Sequence, residues 1–269
     1  MLYVVATPIG NLKDITFRAV EVLKNVDLVL AEDTRTSRVL MRAYDITTEM
    51  RSFHKFNEKG REEEVLNLLQ GGKKVALISD AGTPGICDPG ADLIRKCRES
   101  GMKIEVVPGP CAAIAALSLF GSEENFQFIG FLEKKGKKQL IDIVYYPGLT
   151  IAYESPHHLM KTLESMREIA PLSKIFIARE LTKLYEETLE GTPLELIEHF
   201  KKKKILGEYV LIFSGNENPF EKDPQKLMEE IQELFEISAK DALVAAAKLL
   251  NMPKRELYKK LNVEKPIRN

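Results

Sequence analysis

Leu2-Tyr3-Val4-Val5-Ala6-Thr7-Pro8-Ile9-Gly10-Asn11 opens the chain with an unbroken apolar run that gives way to a proline and a glycine. A strand with one wet face alternates, whereas a strand buried on both faces is apolar throughout, so residues 2–6 read as an interior strand of a parallel sheet. Residues 27–30, 74–79 and 104–107 read the same way. Helical patterns lie between them. Asp14 is the expected N-cap of a first helix with Phe17, Val20 and Leu23 on one face, and helices follow over 62–70 and 91–100, the latter ended by Gly101. Strand, helix, strand in that rhythm predicts a parallel α/β architecture.

The rhythm pauses at Gly121-Ser122-Glu123-Glu124-Asn125 and restarts with strands over 126–131, 150–153, 175–178 and 209–213 and a helix over 157–169. This predicts an N-terminal α/β domain over 1–120 and a second α/β domain over 121–216. Residues 216–220 are linker-like, and only helical periodicity remains in 222–269, a third, all-helical module. There, residues 241–250, then Asn251-Met252-Pro253, then 254–261 read as helix, tight turn, helix. From Lys240 to Asn269 there are eight basic and three acidic residues, a net of +5. That suits a helix-turn-helix-like nucleic-acid module and equally a helical pair with a solvated basic face.

Composition excludes several classes. With 44% hydrophobic and 29% charged residues the chain is not globally disordered. Thirty-nine basic against 40 acidic side chains leave a formal charge of −1, so any nucleic-acid contact must come from local patches. Three cysteines without a CxxC pair and four histidines without HExxH speak against a metal site or a disulfide framework and suit a reducing cytosol. The longest apolar stretch, residues 111–120, is about half the ~20 residues a membrane span needs. The first residues lack the positive start of a secretory signal, so a cytoplasmic protein without membrane contact is expected.

Ligands of parallel α/β sheets bind beyond the carboxyl ends of the strands. The four strands of the first half open into Thr7-Pro8-Ile9-Gly10-Asn11, Glu32-Asp33-Thr34-Arg35-Thr36, Asp80-Ala81-Gly82-Thr83-Pro84-Gly85 and Pro108-Gly109-Pro110-Cys111-Ala112-Ala113. One such loop is routine turn chemistry; four on one sheet edge predict a pocket. Neither GxxxxGK[ST] nor GxGxxG occurs, which disfavours a P-loop and a dinucleotide site. Small residues that let backbone approach a flat ligand suit an adenosine-like group without a pyrophosphate.

These loops, together with Tyr153-Glu154-Ser155-Pro156-His157, Ala178-Arg179-Glu180-Leu181-Thr182-Lys183 and Gly207-Glu208-Tyr209-Val210, resemble the signatures of the ribosomal RNA small subunit methyltransferase I family, itself similar to the tetrapyrrole methylases. The resemblance spans nearly the whole chain. It implies two α/β domains that hold S-adenosylmethionine in the cleft between them, and a homodimer. It also implies 2′-O-methylation of a cytidine in the decoding region of 16S ribosomal RNA, with the small ribosomal subunit as partner. Carried over residue by residue, Thr7, Pro8, Asp80, Gly82 and Thr83 line the cofactor site, Pro108, Cys111 and Ala112 reach its methionine end, and Tyr153, Glu208, Tyr209 and Val210 close it. Ser79-Asp80-Ala81 stands where the wider superfamily often has glycine-aspartate-proline, and residues 7–11 are poorer in glycine than is usual there.

A ribose hydroxyl is a poor nucleophile at neutral pH, so a general base is expected. Asp33, His54, Glu154, Glu180 and Glu208 stand on the relevant loops; Glu154 and Asp33 are the foremost candidates, although Asp33 also suits a role orienting Arg35. For RNA, the expected contacts are Arg35, Arg38, His54 and the lysines Lys134, Lys135, Lys137 and Lys138 of a flexible glycine-containing loop, with residues 201–204 as a second cluster. The competing readings are a tetrapyrrole or other small-molecule methyltransferase of the same fold and a non-catalytic RNA-binding assembly factor.

Overall fold

The computed structural model describes every residue except Lys135, residues 216–223, Glu236, Asn251 and residues 264–269. The expected linker over 216–220, the first turn residue Asn251 and the end of the helical module therefore lie outside the described residues. The chain falls into two compact units: Met1–Gly121 with Ala178–Glu187, and Ser122–Ile177 with Thr188–Asn269.

In the first unit β1 (Leu2–Val5), β2 (Leu28–Ala31), β3 (Met50–Ser52), β4 (Val75–Ile78) and β5 (Ile104–Val107) form one sheet in the order β3-β2-β4-β1-β5. The pairings are parallel, with Val4 opposite both Leu77 and Val106. Leu2, Val4, Leu28, Leu30, Val75 and Leu77 enter one core with Phe53, Leu93 and Cys97. Val5, Val29, Ala31, Ala76 and Ile78 enter a second core on the opposite face. Burial on both faces is the physical reason these strands are continuously apolar. The connecting helices are α1 (Phe17–Asn25), α2 (Thr34–Ala43), α3 (Glu58–Gln70), α4 (Ala91–Glu99) and α5 (Ala112–Phe120).

The start of α1 differs from expectation. Asp14 sits in a short 3-10 turn, and the cap is Thr16, whose hydroxyl accepts from the Ala19 amide at 3.1 Å. Phe17 is 98% exposed, and the buried face is Ala19 and Leu23. A true N-cap keeps extended backbone while its side chain reaches the third amide beyond, a geometry open to Thr16 but lost to Asp14 inside its own turn.

In the second unit β6 (Phe126–Phe131), β7 (Leu149–Glu154), β8 (Ile175–Arg179), β9 (Glu187–Gly191) and β10 (Tyr209–Ser214) form a sheet in the order β6-β7-β10-β8-β9. It is mixed: β6 and β7 are parallel, but β10 runs antiparallel to β7 with Tyr209 opposite Glu154. An apolar run records burial, not direction, so the reversal leaves no trace in composition. Helices α6 (Lys137–Val144), α7 (Leu159–Ile169) and α8 (Pro193–Lys201) supply Leu140, Leu163 and Phe200 to a core shared with Ala152, Ile177 and Leu211. Helices α9 (Pro224–Phe235), α10 (Ala239–Leu249) and α11 (Lys254–Val263) gather Leu227, Ile231, Ala246 and Leu257 around Ile141 and Tyr145 of the same unit. The helical stretch thus packs into the second unit rather than standing apart. Among the described residues, no helix is long and apolar enough to cross a membrane.

Candidate active site

The chain leaves β1 across β4 to reach β2, and leaves β4 across β1 to reach β5. Connections that depart from neighbouring strands in opposite directions open a crevice at their carboxyl ends. Three loops meet there. The Thr7 amide donates to the Gly82 carbonyl at 2.9 Å and the Gly82 amide returns the bond to Thr7 at 3.1 Å. The Thr7 hydroxyl donates to the Ser79 carbonyl at 3.0 Å, and that of Thr83 to the Pro110 carbonyl at 3.2 Å. Gly82 holds φ +83°, and a Cβ on Gly109 would approach the Ala6 Cβ to 3.0 Å, so small residues let the loops join as one backbone platform. Thr7, 2% exposed, is a strut between loops, and Pro8 is buried with it. Asp80 and Pro108 are exposed, while Thr83, Cys111 and Ala112 are half-buried.

Carboxylates crowd the β2 side of this edge. Asp33 caps α2 by accepting from the Arg35 amide at 2.8 Å, and the Arg35 guanidinium also grips it, at 2.7 Å. Those bonds hold the Asp33 carboxyl down at about 2, a weak base already occupied by its partner. Its geometry is that of a residue orienting Arg35. Glu32 behaves oppositely: burial, then the negative charges of Asp88, Asp80 and Asp33, push it up to about 6. Burial likewise raises Asp80, partly offset by the Asp33 amide. Sequence reasoning passed over Glu32, whose only signal is its place directly after a fully buried strand.

The segment Ala178–Glu187 belongs to the first unit because it locks onto the first loop. The Asn11 amide donates to the Thr182 hydroxyl at 3.0 Å, and the Thr182 amide donates to Glu186 at 2.5 Å. Glu180 and Thr182 hold φ of 52° and 65°. For a β-branched threonine that costs about 1–3 kcal/mol, which persists only where surroundings enforce it. A Cβ on Gly10 would lie 2.5 Å from Lys183 Cγ and 2.7 Å from the Thr182 hydroxyl, so only glycine fits. Glu180 accepts from Lys183 at 2.9 Å, which gives that carboxylate a structural partner too.

The match to known proteins follows this layout. Residues 1–197 fit the family model described as Tetrapyrrole (Corrin/Porphyrin) Methylases. A protein of Thermotoga maritima named "Ribosomal RNA small subunit methyltransferase I" is 45% identical over 219 residues, covering 80% of this chain and 99% of that one. Its namesakes in Bacillus subtilis and Escherichia coli O157:H7 are 38% and 42% identical, each covering 96% of this chain and 92% or 93% of their own. The chain belongs to this methyltransferase family. Solved structures share the fold at lower identity. Cobalt precorrin-4 methyltransferase, a cobalamin biosynthetic enzyme, superposes with TM-score 0.62 at 17% identity, covering 79% of this chain and 94% of its own. A uroporphyrin-III C-methyl transferase from Thermus thermophilus, complexed with S-adenyl homocysteine, gives 0.59 at 18%, covering 80% and 97%. The family is one of S-adenosylmethionine-dependent methyltransferases.

In this family member several second-unit expectations change. Glu154 is 4% exposed; one oxygen accepts from the Thr162 hydroxyl at 2.5 Å and the other from the Ser155 amide at 2.7 Å. A buried carboxylate with a donor on each oxygen ties β7 to α7. Tyr153 is half-buried, edge-on to Phe128 and Phe131 at 5.0 and 5.4 Å. Tyr209 packs in the core against Phe200 and Val210 is buried, so only their backbone can meet a ligand; Glu208 is exposed. Beside them the buried Ser155 hydroxyl has no partner among the described residues.

The RNA candidates divide. Arg35 and Arg38 project from α2, and His54 follows β3, half-buried against Asn57. Lys137 and Lys138 are not in a loop but in the first turn of α6, and Lys137 pairs with Glu168 at 3.4 Å. Lys134 occupies the preceding turn; Lys135 lies outside the described residues. In the second lysine cluster, Lys201 pairs with Glu198 at 2.8 Å.

Proposed function

We propose that the protein transfers the methyl group of S-adenosylmethionine to the 2′-oxygen of a cytidine in the decoding region of 16S ribosomal RNA. The observation that carries this is the backbone platform of residues 7–11, 79–83 and 108–112 at the switch point of the first sheet, with the arginines of α2 on the same edge. The residues suit the donor: the platform offers main-chain groups and small apolar surface to a flat adenosine. On the family resemblance Thr7, Pro8, Asp80, Gly82 and Thr83 are kept as nucleoside contacts, with the buried Thr7 and Pro8 acting through the platform they support, and Pro108, Cys111 and Ala112 as contacts of the methionine end. Tyr153, Glu208 and the backbone of Tyr209 and Val210 are kept as donor contacts on the family resemblance.

The bound donor supplies an electrophilic methyl group. What remains for the protein is to hold the ribose hydroxyl in line with it and to receive the proton. We assign the proton to Glu32 rather than Glu154, since Glu32 stands half-buried at the carboxyl end of β2, where burial and neighbouring carboxylates make it more basic than an ordinary carboxyl, whereas both Glu154 oxygens already hold a donor. The RNA partner is the small ribosomal subunit, and the setting is cytoplasmic. Val106 on the edge strand β5, with Ile114 and Leu119 on α5, leaves an exposed apolar face that supports a homodimer.

The test is transfer of labelled methyl to small subunits from cells lacking the protein, followed by mass spectrometry of the nucleosides. Label in 2′-O-methylcytidine is the expected result. Label in a methylated base, or transfer to uroporphyrinogen instead of RNA, overturns the reading; donor binding without any transfer supports an assembly factor.

A further inference from the structure

The residues after β3 form a small structure of their own. The Asn57 side chain accepts from the His54 amide at 2.8 Å and donates to the Ser52 carbonyl at 3.3 Å, and the Asn57 amide donates back to the His54 carbonyl at 2.9 Å. At the tip of this pinned turn stands Phe56, 95% exposed, touching the His54 ring only edge-on at 6.1 Å between centroids. Singly exposed apolar residues are ordinary, but they usually sit on loose turns or lie flat on the surface. Here a turn is held in one shape and both ring faces are left to solvent.

Cations stand on this edge beside the carboxylates of Glu32 and Asp33, the latter paired with Arg35. Ser52 pairs with Ala31, and the Phe53 amide donates to the Ala31 carbonyl at 2.7 Å, so the turn emerges beside the residues that begin α2. On α2, Arg35, Arg38 and Arg42 follow at i, i+3 and i+7, one exposed face opposite the buried Ser37, Leu40 and Met41. Arg38, Arg42 and the exposed Lys55 take part in no ion pair among the described residues. An aromatic ring with both faces free beside unpaired cations is the arrangement that binds single-stranded nucleic acid, the ring stacking on a base and the cations following the phosphates.

Resting on the RNA reading above, we propose that Phe56 is a stacking platform for an unpaired nucleobase flanking the methylated nucleotide, with Lys55 and Arg38 carrying the adjoining phosphates. The surface is indifferent to which base stacks, because every base has a π-face; it selects single-stranded over paired RNA.

The chain contains no tryptophan, so Phe56→Trp installs a lone reporter at the proposed contact. A fluorescein-labelled single-stranded oligoribonucleotide is titrated against wild type, Phe56→Ala and Phe56→Trp, and the same titration without the label follows the tryptophan emission. Phe56→Ala is expected to bind about tenfold more weakly, while Phe56→Trp binds at least as well as wild type and is quenched by RNA. Arg38→Gln and Lys55→Gln each lower the slope of log K against log salt by about 0.7. Because the ring is exposed, thermal unfolding of these variants should match wild type. Unquenched Phe56→Trp with unchanged affinity in Phe56→Ala overturns the proposal, as does a Phe56→Ala variant that loses small subunits but keeps naked RNA, which would mark a protein contact. Methyl transfer by wild type, run in parallel, separates the failures: if it modifies subunits while the Phe56 variants are silent, only the stacking platform falls.

Discussion

The amide of Asp33 donates to a carboxylate oxygen of Asp80 at 3.0 Å, so the turn after β2 is tied to the turn after β4. That bond holds three consecutive features of one sheet edge in register: the Arg35 clamp, the Asp80 carboxylate and Glu32. It also concentrates negative charge, and Glu32 bears the consequence.

The Glu32 carboxyl, pushed from 4.5 to about 6, binds its proton more tightly in the folded than in the unfolded chain. Relative to a neutral side chain it therefore costs nothing below pH 4.5, where it is protonated in both states, and becomes a net cost as pH rises through 6 toward 8. The gap corresponds to about 2 kcal/mol, which the partial exposure of the side chain reduces to about 1 kcal/mol. Glu32→Gln should raise the unfolding free energy by that amount in urea at pH 8 and leave it unchanged at pH 4. Methyl transfer should fall roughly 10²-fold in the same variant, the direction opposite to stability. An equal stability change at both pH values would contradict the electrostatic origin, and undiminished transfer would remove Glu32 from catalysis.

Glu154 and Thr162 pose the reverse case. Thr162→Val leaves one oxygen of a buried carboxylate without its donor, a loss of about 1–3 kcal/mol. Thermal unfolding should shift accordingly, with the transfer rate per folded molecule unchanged. Glu154→Gln should behave likewise. A 10²-fold fall in the rate of a still-folded Glu154→Gln enzyme would return Glu154 to the role of base.

Sequence shows burial better than it shows partners. Residues 2–5, 28–31 and 75–78 announce themselves because both faces of each strand enter a core, which only continuous apolar residues satisfy. The ligand-facing edge follows from those strand ends. The direction of β10 does not, since Tyr209 and Val210 are equally buried whichever way the strand runs. Nor does the bond between Asn11 and Thr182, 171 residues apart, which draws Ala178–Glu187 out of its sequence neighbourhood. The burial of Glu154 is equally silent in sequence, because the Thr162 hydroxyl that bonds it comes eight residues on, from α7. Lys137 and Lys138 read as loop residues because lysine runs are polar and Gly136 precedes them, yet Leu140, Ile141, Ile143 and Val144 bury one face and wind the segment into α6.

The start of α6 supplies a contact whose two effects have opposite signs. Gly136 is the N-cap and gives no side-chain bond, and Lys137 and Lys138 place cations in the first turn. The exposed amides there carry the positive end of the helix dipole, so a cation is unfavourable and an anion stabilising by about 0.3–1 kcal/mol. Lysines held against that gradient make sense if they meet phosphate. Lys138 is the cleaner probe, because Lys137 also pairs with Glu168. Lys138→Glu should raise the unfolding midpoint slightly, weaken RNA binding, and lower the salt slope by at least about 0.7, while affinity for S-adenosylmethionine measured by calorimetry stays the same. A more stable protein with undiminished RNA affinity would leave α6 as a solvated helix end and place the RNA on the first unit alone.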